Sequence, residues 1–175
     1  MVSNTKYTDY FMYCIGPFSI LYLFYEMRKN TLTENKKLIA ALAFIIFSVF
    51  FWAIFEQAGG SLSLFAAENL KTNLFGITTD PNAVNNAINS FFVIVFAPIV
   101  GLFFIALAKR KLEPNSVIKF GLGFLLLGLA FYTFYTIQFT ASSNGKGSLN
   151  VFALAYFIVT FAELFLSPIG LSLMT

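Results

Sequence analysis

FALAYFIVTFAELFLSPIGLSLM, residues 152–174, carries a single charged side chain, Glu163, near its middle. A helix needs about 20 apolar residues to cross the roughly 30 Å of hydrocarbon in a bilayer, and this run supplies them. Counted from Leu149, Glu163 stands about 21 Å along such a helix, deep in the span. Lipid cannot solvate a carboxylate there. The group has to be protonated, paired or turned toward water, and intramembrane acids therefore mark paths for ions, protons or polar substrates.

The rest of the chain has the same character. Of its 175 residues 58% are hydrophobic and 19% aromatic against 11% charged, far from the balance of a soluble domain. Apolar segments fall at residues 10–26, 38–66, 87–108, 117–139 and 149–172, and none shows the two-residue alternation of a membrane barrel strand. The expected fold is an all-α, polytopic membrane helical bundle, with residues 1–175 as one membrane domain. Segment 10–26 is short and contains Gly16-Pro17, so it is expected as an accessory helix beside four transmembrane helices.

Composition also excludes chemistry. With no histidine and one cysteine, Cys14, there is no expected metal site, disulfide, haem or other cofactor, and no catalytic residue. The net charge of +3 reflects basic flanks of spans rather than a nucleic-acid surface. Arg28, Lys29, Lys36, Lys37, Lys109, Arg110, Lys111 and Lys119 fall on one side if all five segments cross, and Lys6, Lys71 and Lys146 on the other. The first side is expected to be cytoplasmic. The amino terminus lacks the basic and apolar regions of a signal peptide. The last residues, SPIGLSLMT, have no basic anchor after them, so the chain is expected to be a fragment of a larger bundle.

Glu56, in FWAIFEQAGG at residues 51–60, is the other acid well inside an apolar run. It is either an acid at the outer interface before a Gly59-Gly60 stop or, because SLSLFAA continues the apolar run, an interior group on a segment that bends at those glycines. A helix over 38–66 would be about 43 Å long and would have to tilt or bend. Trp52, Phe55, Glu56 and Gly59 share one helical face, which can line a pocket or simply pack. Glu163 and Ser167 share another, beside Pro168, and Asn89 shares a third with Asn85 and Asn86. Gly121, Gly123 and Gly128 are expected to permit close helix packing.

The phrases FWAIFEQAGGSLSLFA, INSFFVIVFAPIVG and AYFIVTFAELFLSPIGLSLMT together resemble the seventh, eighth and tenth helices of proton-dependent oligopeptide transporters, the POT or PTR family of the major facilitator superfamily. Segment 10–26 resembles the extra helix that bacterial members place between their halves. The resemblance implies part of the C-terminal half of such a transporter, and proton-coupled uptake of di- and tripeptides by alternating access in a bacterial inner membrane. It implies that Glu163 holds the peptide amino terminus, with Ser167, Trp52, Phe55 and Asn89 also lining the substrate site. Glu56 would take part in proton coupling. The partners implied are peptides, protons, the lipid bilayer and the helices of the parent that are absent here, among them those bearing the ExxER motif and the fourth-helix lysine. The fragment is not expected to transport by itself. Two alternatives start from the same acids: a membrane-embedded enzyme using them as acid and base, and an assembly subunit pairing them with basic helices of another protein.

Overall fold

The computed structural model describes residues 5–141 and 145–172, with side chains from Tyr10 to Leu166 other than Met12 and Ala58. It divides into two compact units, Met1–Phe50 and Phe51–Thr175.

The first unit contains helix α1, Thr5–Met27, and most of α2, Leu32–Phe55. Pro17 lies inside α1 without ending it, as apolar helices of membrane proteins tolerate. Helix α2 starts six residues before the apolar segment that marks it, because TLTE at residues 31–34 is a capping box. The Glu34 carboxylate accepts from the Thr31 amide and from the Thr31 hydroxyl, each at 2.8 Å. Asn35 Nδ2 donates to the Met27 carbonyl at 2.8 Å and fastens the short connector.

In the second unit the apolar segment 38–66 proves to be broken. Helix α2 ends at Phe55, a 3-10 turn covers Glu56–Gly59, and α3 runs over Ser61–Asn69. The Gln57 carboxamide bridges the break, donating to the Ala53 carbonyl at 3.3 Å and accepting from the Ser61 hydroxyl at 2.9 Å. The connector that follows folds into a hairpin, β1 (Asn73–Leu74) against β2 (Ile77–Thr78). Both loop residues have positive φ, 49° at Phe75 and 90° at Gly76, the backbone twist that a two-residue hairpin needs. Asn150 Oδ1 accepts from the Phe75 amide at 2.8 Å and ties this hairpin to the next-but-two helix.

Helices α4 (Pro81–Lys109), α5 (Ser116–Thr136) and α6 (Leu149–Ser172) complete the unit. Among the described residues four helical stretches are long and apolar enough to cross a membrane: Leu32–Phe55, Pro81–Lys109, Ser116–Thr140 and Leu149–Leu166. The fold is an all-α polytopic membrane bundle. Helix α6 packs on both α4 and α5. Phe152 and Tyr156, in its opening turns, are fully buried, and the Phe134 ring of α5 stands edge-on to both.

Gly123 is where α5 and α6 approach most tightly among the glycines read as packing residues. A Cβ there would stand 2.1 Å from Leu166 Cδ1 and 3.2 Å from the Ala162 carbonyl oxygen, whereas Gly121 and Gly128 have open space among the described residues. Gly123→Ala is therefore expected to cost about 1–3 kcal/mol by overpacking. A lower thermal midpoint for the purified full-length protein would register it, with Gly121→Ala and Gly128→Ala at or above wild type as controls. Equal midpoints for all three variants would refute the close approach.

Candidate functional site

The site grows out of the start of α4. Asp80 caps this helix, its carboxylate accepting from the amides of Asn82 and Ala83 at 3.4 and 3.1 Å, and Pro81 occupies the first turn where its missing N–H costs nothing. The helix consequently begins six residues ahead of the expected 87. Asn85 and Asn86 then belong to its interior turns, and Asn85 is buried.

On the facing helix, Tyr156, Thr160 and Glu163 follow one another at spacings of four and three and so share a face of α6. The two faces meet in a polar seam. The Tyr156 hydroxyl donates to Asn85 Oδ1 at 2.5 Å, and Asn85 Nδ2 donates to Asn86 Oδ1 at 3.4 Å. One turn further along, the Thr160 hydroxyl lies 2.8 Å from Asn89 Oδ1 and 2.9 Å from the Tyr156 carbonyl, and Asn89 Nδ2 donates to Glu163 Oε2 at 3.3 Å. Thr160 has no exposed surface, and Glu163 keeps some. The seam is thus closed toward Tyr156 and partly open at the carboxylate.

An aromatic ladder joins the same two helices. Phe96 lies 5.2 Å from Phe157 and 5.3 Å from Phe161 between centroids, and Phe92 lies 5.5 Å from Phe157. Such contacts fix the crossing and hold Asn89 opposite Glu163. A neighbouring groove of about 700 Å³, lined by residues such as Leu74, Phe91, Leu154 and Phe157, is wholly apolar in its lining residues. It offers no counter-charge, so the seam rather than this groove is the candidate site for a charged ligand.

The other expected residues lie at the helix break. Trp52 and Phe55 are in edge-to-face contact at 5.2 Å, with Phe55 packed against the main core and Trp52 exposed. Glu56 opens the 3-10 turn and is exposed. The single helical face expected for Trp52, Phe55, Glu56 and Gly59 therefore ends at Glu56. Among the described residues no hydrogen bond joins Glu56 to Glu163. The side chain of Ser167 lies outside the described residues, as does that of Pro168. Tyr156 and Thr160 are absent from the expected set, although their spacing to Glu163 was visible in the sequence. Among the described residues no group of three or more carboxylates and thiols is arranged to hold a metal.

A family model described as the POT family matches residues 3–175. The chain belongs to the POT family. It is 32% identical to the peptide transporter YePEPT of Yersinia enterocolitica over 168 residues, covering 94% of this chain and 33% of that protein. It is 30% identical over 156 residues to a dipeptide and tripeptide permease B of Edwardsiella piscicida, covering 88% of this chain and 32% of the permease. Among solved structures, a peptide transporter POT crystallised with sulfate superposes with a TM-score of 0.73 at 30% identity, over 94% of this chain and 34% of that one. The POT chain described here thus spans about a third of the length of these relatives. The family is one of transporters, which sets aside the membrane-embedded enzyme.

Proposed function

We propose that the full-length protein is a proton-coupled symporter of di- and tripeptides working by alternating access in a bacterial inner membrane. The observation that carries this reading is the Glu163 carboxylate, held by Asn89 in a polar seam between two helices of a POT-family chain that are long and apolar enough to cross a membrane. A peptide amino terminus is a compact cation, and a carboxylate in a low-dielectric cavity is a strong counter-charge for it. Affinity then comes from the constant end of the peptide, and aromatic walls such as Trp52 and Phe55 accept varied side chains. Asn89 and Ser167 complete the substrate site in this reading, and Glu56 belongs to the proton path. The break at Glu56–Gly60 supplies a joint that absorbs backbone change during gating. The two relatives named above, a peptide transporter and a dipeptide and tripeptide permease, both bacterial, support the substrate class and a bacterial membrane.

The test is uptake of a labelled dipeptide into proteoliposomes holding the full-length protein. A tenfold inward proton gradient is expected to raise steady-state accumulation up to about tenfold over the control without a gradient, since one proton across it supplies about 1.4 kcal/mol. A protonophore should remove that gain. Uptake indifferent to the gradient would refute the coupling, and no dipeptide uptake at all would refute the substrate class.

A further inference from the structure

Thr160 has one hydroxyl proton and two acceptors within reach, Asn89 Oδ1 at 2.8 Å and the Tyr156 carbonyl at 2.9 Å. This side chain is completely buried, and its position one turn from Glu163 on α6 gives it no contact of its own with that carboxyl among the hydrogen bonds of the seam. Its hydroxyl reaches Glu163 only through the Asn89 amide. An asparagine amide has a donating and an accepting end, so whichever end faces Thr160 fixes the end that faces Glu163.

Two complete bonding patterns use the same atoms. With Glu163 ionised, Thr160 donates to Asn89 Oδ1 and the Asn89 NH2 donates to the carboxylate, the pattern of the structure. With Glu163 protonated, the acid O–H becomes a donor and seeks an oxygen. Rotation of the Asn89 amide by half a turn presents Oδ1 to that proton and the NH2 to Thr160 Oγ1, while the Thr160 proton goes to the Tyr156 carbonyl. Thr160, Asn89 and Glu163 each keep a hydrogen-bond partner in both patterns, which matters where each lost bond is costly. A threonine hydroxyl poised between a side-chain oxygen and the carbonyl four residues earlier is what the exchange requires.

The geometry points to Thr160 as a positioning residue that pairs with the Asn89 amide in either orientation and so lets it reverse when Glu163 takes up a proton. Valine at position 160 would keep the shape and lose both patterns. The consequence is that Asn89 presents a donor to the site in one protonation state of Glu163 and has that donor withdrawn in the other. Its relevance to transport rests on the proposed function; the reversal itself does not. Ionisable groups on the packed elements are Lys109 on α4, Lys119, Tyr132 and Tyr135 on α5, and Tyr156 on α6 itself. Lys119 is ion-paired with Glu113 and Tyr156 is bonded to Asn85, and among the described residues none of the five is hydrogen-bonded to Glu163.

The test is solid-state NMR on the full-length protein in lipid, with asparagine side-chain nitrogen and glutamate carboxyl carbon labelled. The coupling between Asn89 Nδ2 and the Glu163 carboxyl is assigned by its loss in Asn89→Leu and in Glu163→Gln. In the wild type this coupling is expected at high pH and should largely vanish once the carboxyl shift reports Glu163 protonated. Thr160→Val should retain a substantial part of it at low pH, because neither amide orientation is then favoured, and Thr160→Ser should restore the full loss. A wild-type coupling equal in both states would overturn the proposal even if Thr160→Val did not fold. Complete switching in Thr160→Val would overturn it too. Switching in a protein that takes up no peptide would leave the proposal standing and sink the proposed function, and normal uptake without switching would do the reverse.

Discussion

Glu163→Gln is expected to lower proton-driven dipeptide uptake by about a hundredfold or more, on the scale of losing a charge-assisted contact and its coupled proton. Glutamine has nearly the shape of glutamate and can still meet the Asn89 amide, so insertion and folding should survive. What disappears is the negative charge. The peptide amino terminus would then enter a low-dielectric site with a dipole for a partner, which compensates its desolvation poorly. The loss should fall most heavily on ligands with a free amino terminus, and amino-acetylated dipeptides, bound weakly by wild type, should lose little further. A proteoliposome assay comparing the two ligand types decides this. Wild-type uptake by the glutamine variant would remove Glu163 from the substrate site, and equal losses for both ligands would remove its pairing with the amino terminus.

Much of the fold was legible because lipid imposes one strong rule, that backbone groups are satisfied inside the helix, and apolar runs then report the spans directly. Errors concentrate where polar side chains set the boundary. The start of α2 depends on the Thr31–Glu34 box and that of α4 on the Asp80 cap, and neither signal lies within an apolar run. The hairpin at Asn73–Thr78 was hidden for a related reason, since its defining feature is a pair of positive φ angles, one of them at Phe75, a residue with no turn preference.

The site was legible in its charged member and not in its neutral ones. Glu163 announces itself because a charge within an apolar run demands an explanation, whereas a threonine or tyrosine there is unremarkable until the opposing helix is known. Asn89 illustrates the same dependence from the other side. In the sequence Asn85, Asn86 and Asn89 only share a face, and the early start of α4 is what carries Asn85 into the packed interior beside Tyr156. The polar seam is therefore a property of two helix faces in register, which the aromatic contacts of Phe92, Phe96, Phe157 and Phe161 establish.

Glu56→Gln should leave peptide affinity within about threefold of wild type and flatten the dependence of uptake on the proton gradient. The reasoning begins with the backbone. Glu56 is the first residue of the 3-10 turn that interrupts the apolar segment, its neighbour Gln57 is occupied in bridging α2 to α3, and its own side chain is exposed in this chain. A carboxylate at such a place in a membrane segment is stable facing a watered cavity and costly facing lipid. The proposed function routes the proton path through Glu56, and at a backbone joint a change in its charge would act where the helix bends most easily. Glutamine keeps the shape and removes the negative charge. Uptake driven by a substrate gradient alone should then persist while gradient-driven accumulation falls to the level of the ungraded control. If the variant accumulates peptide as wild type does, with the same pH profile, Glu56 is an interface residue and the proton path lies elsewhere.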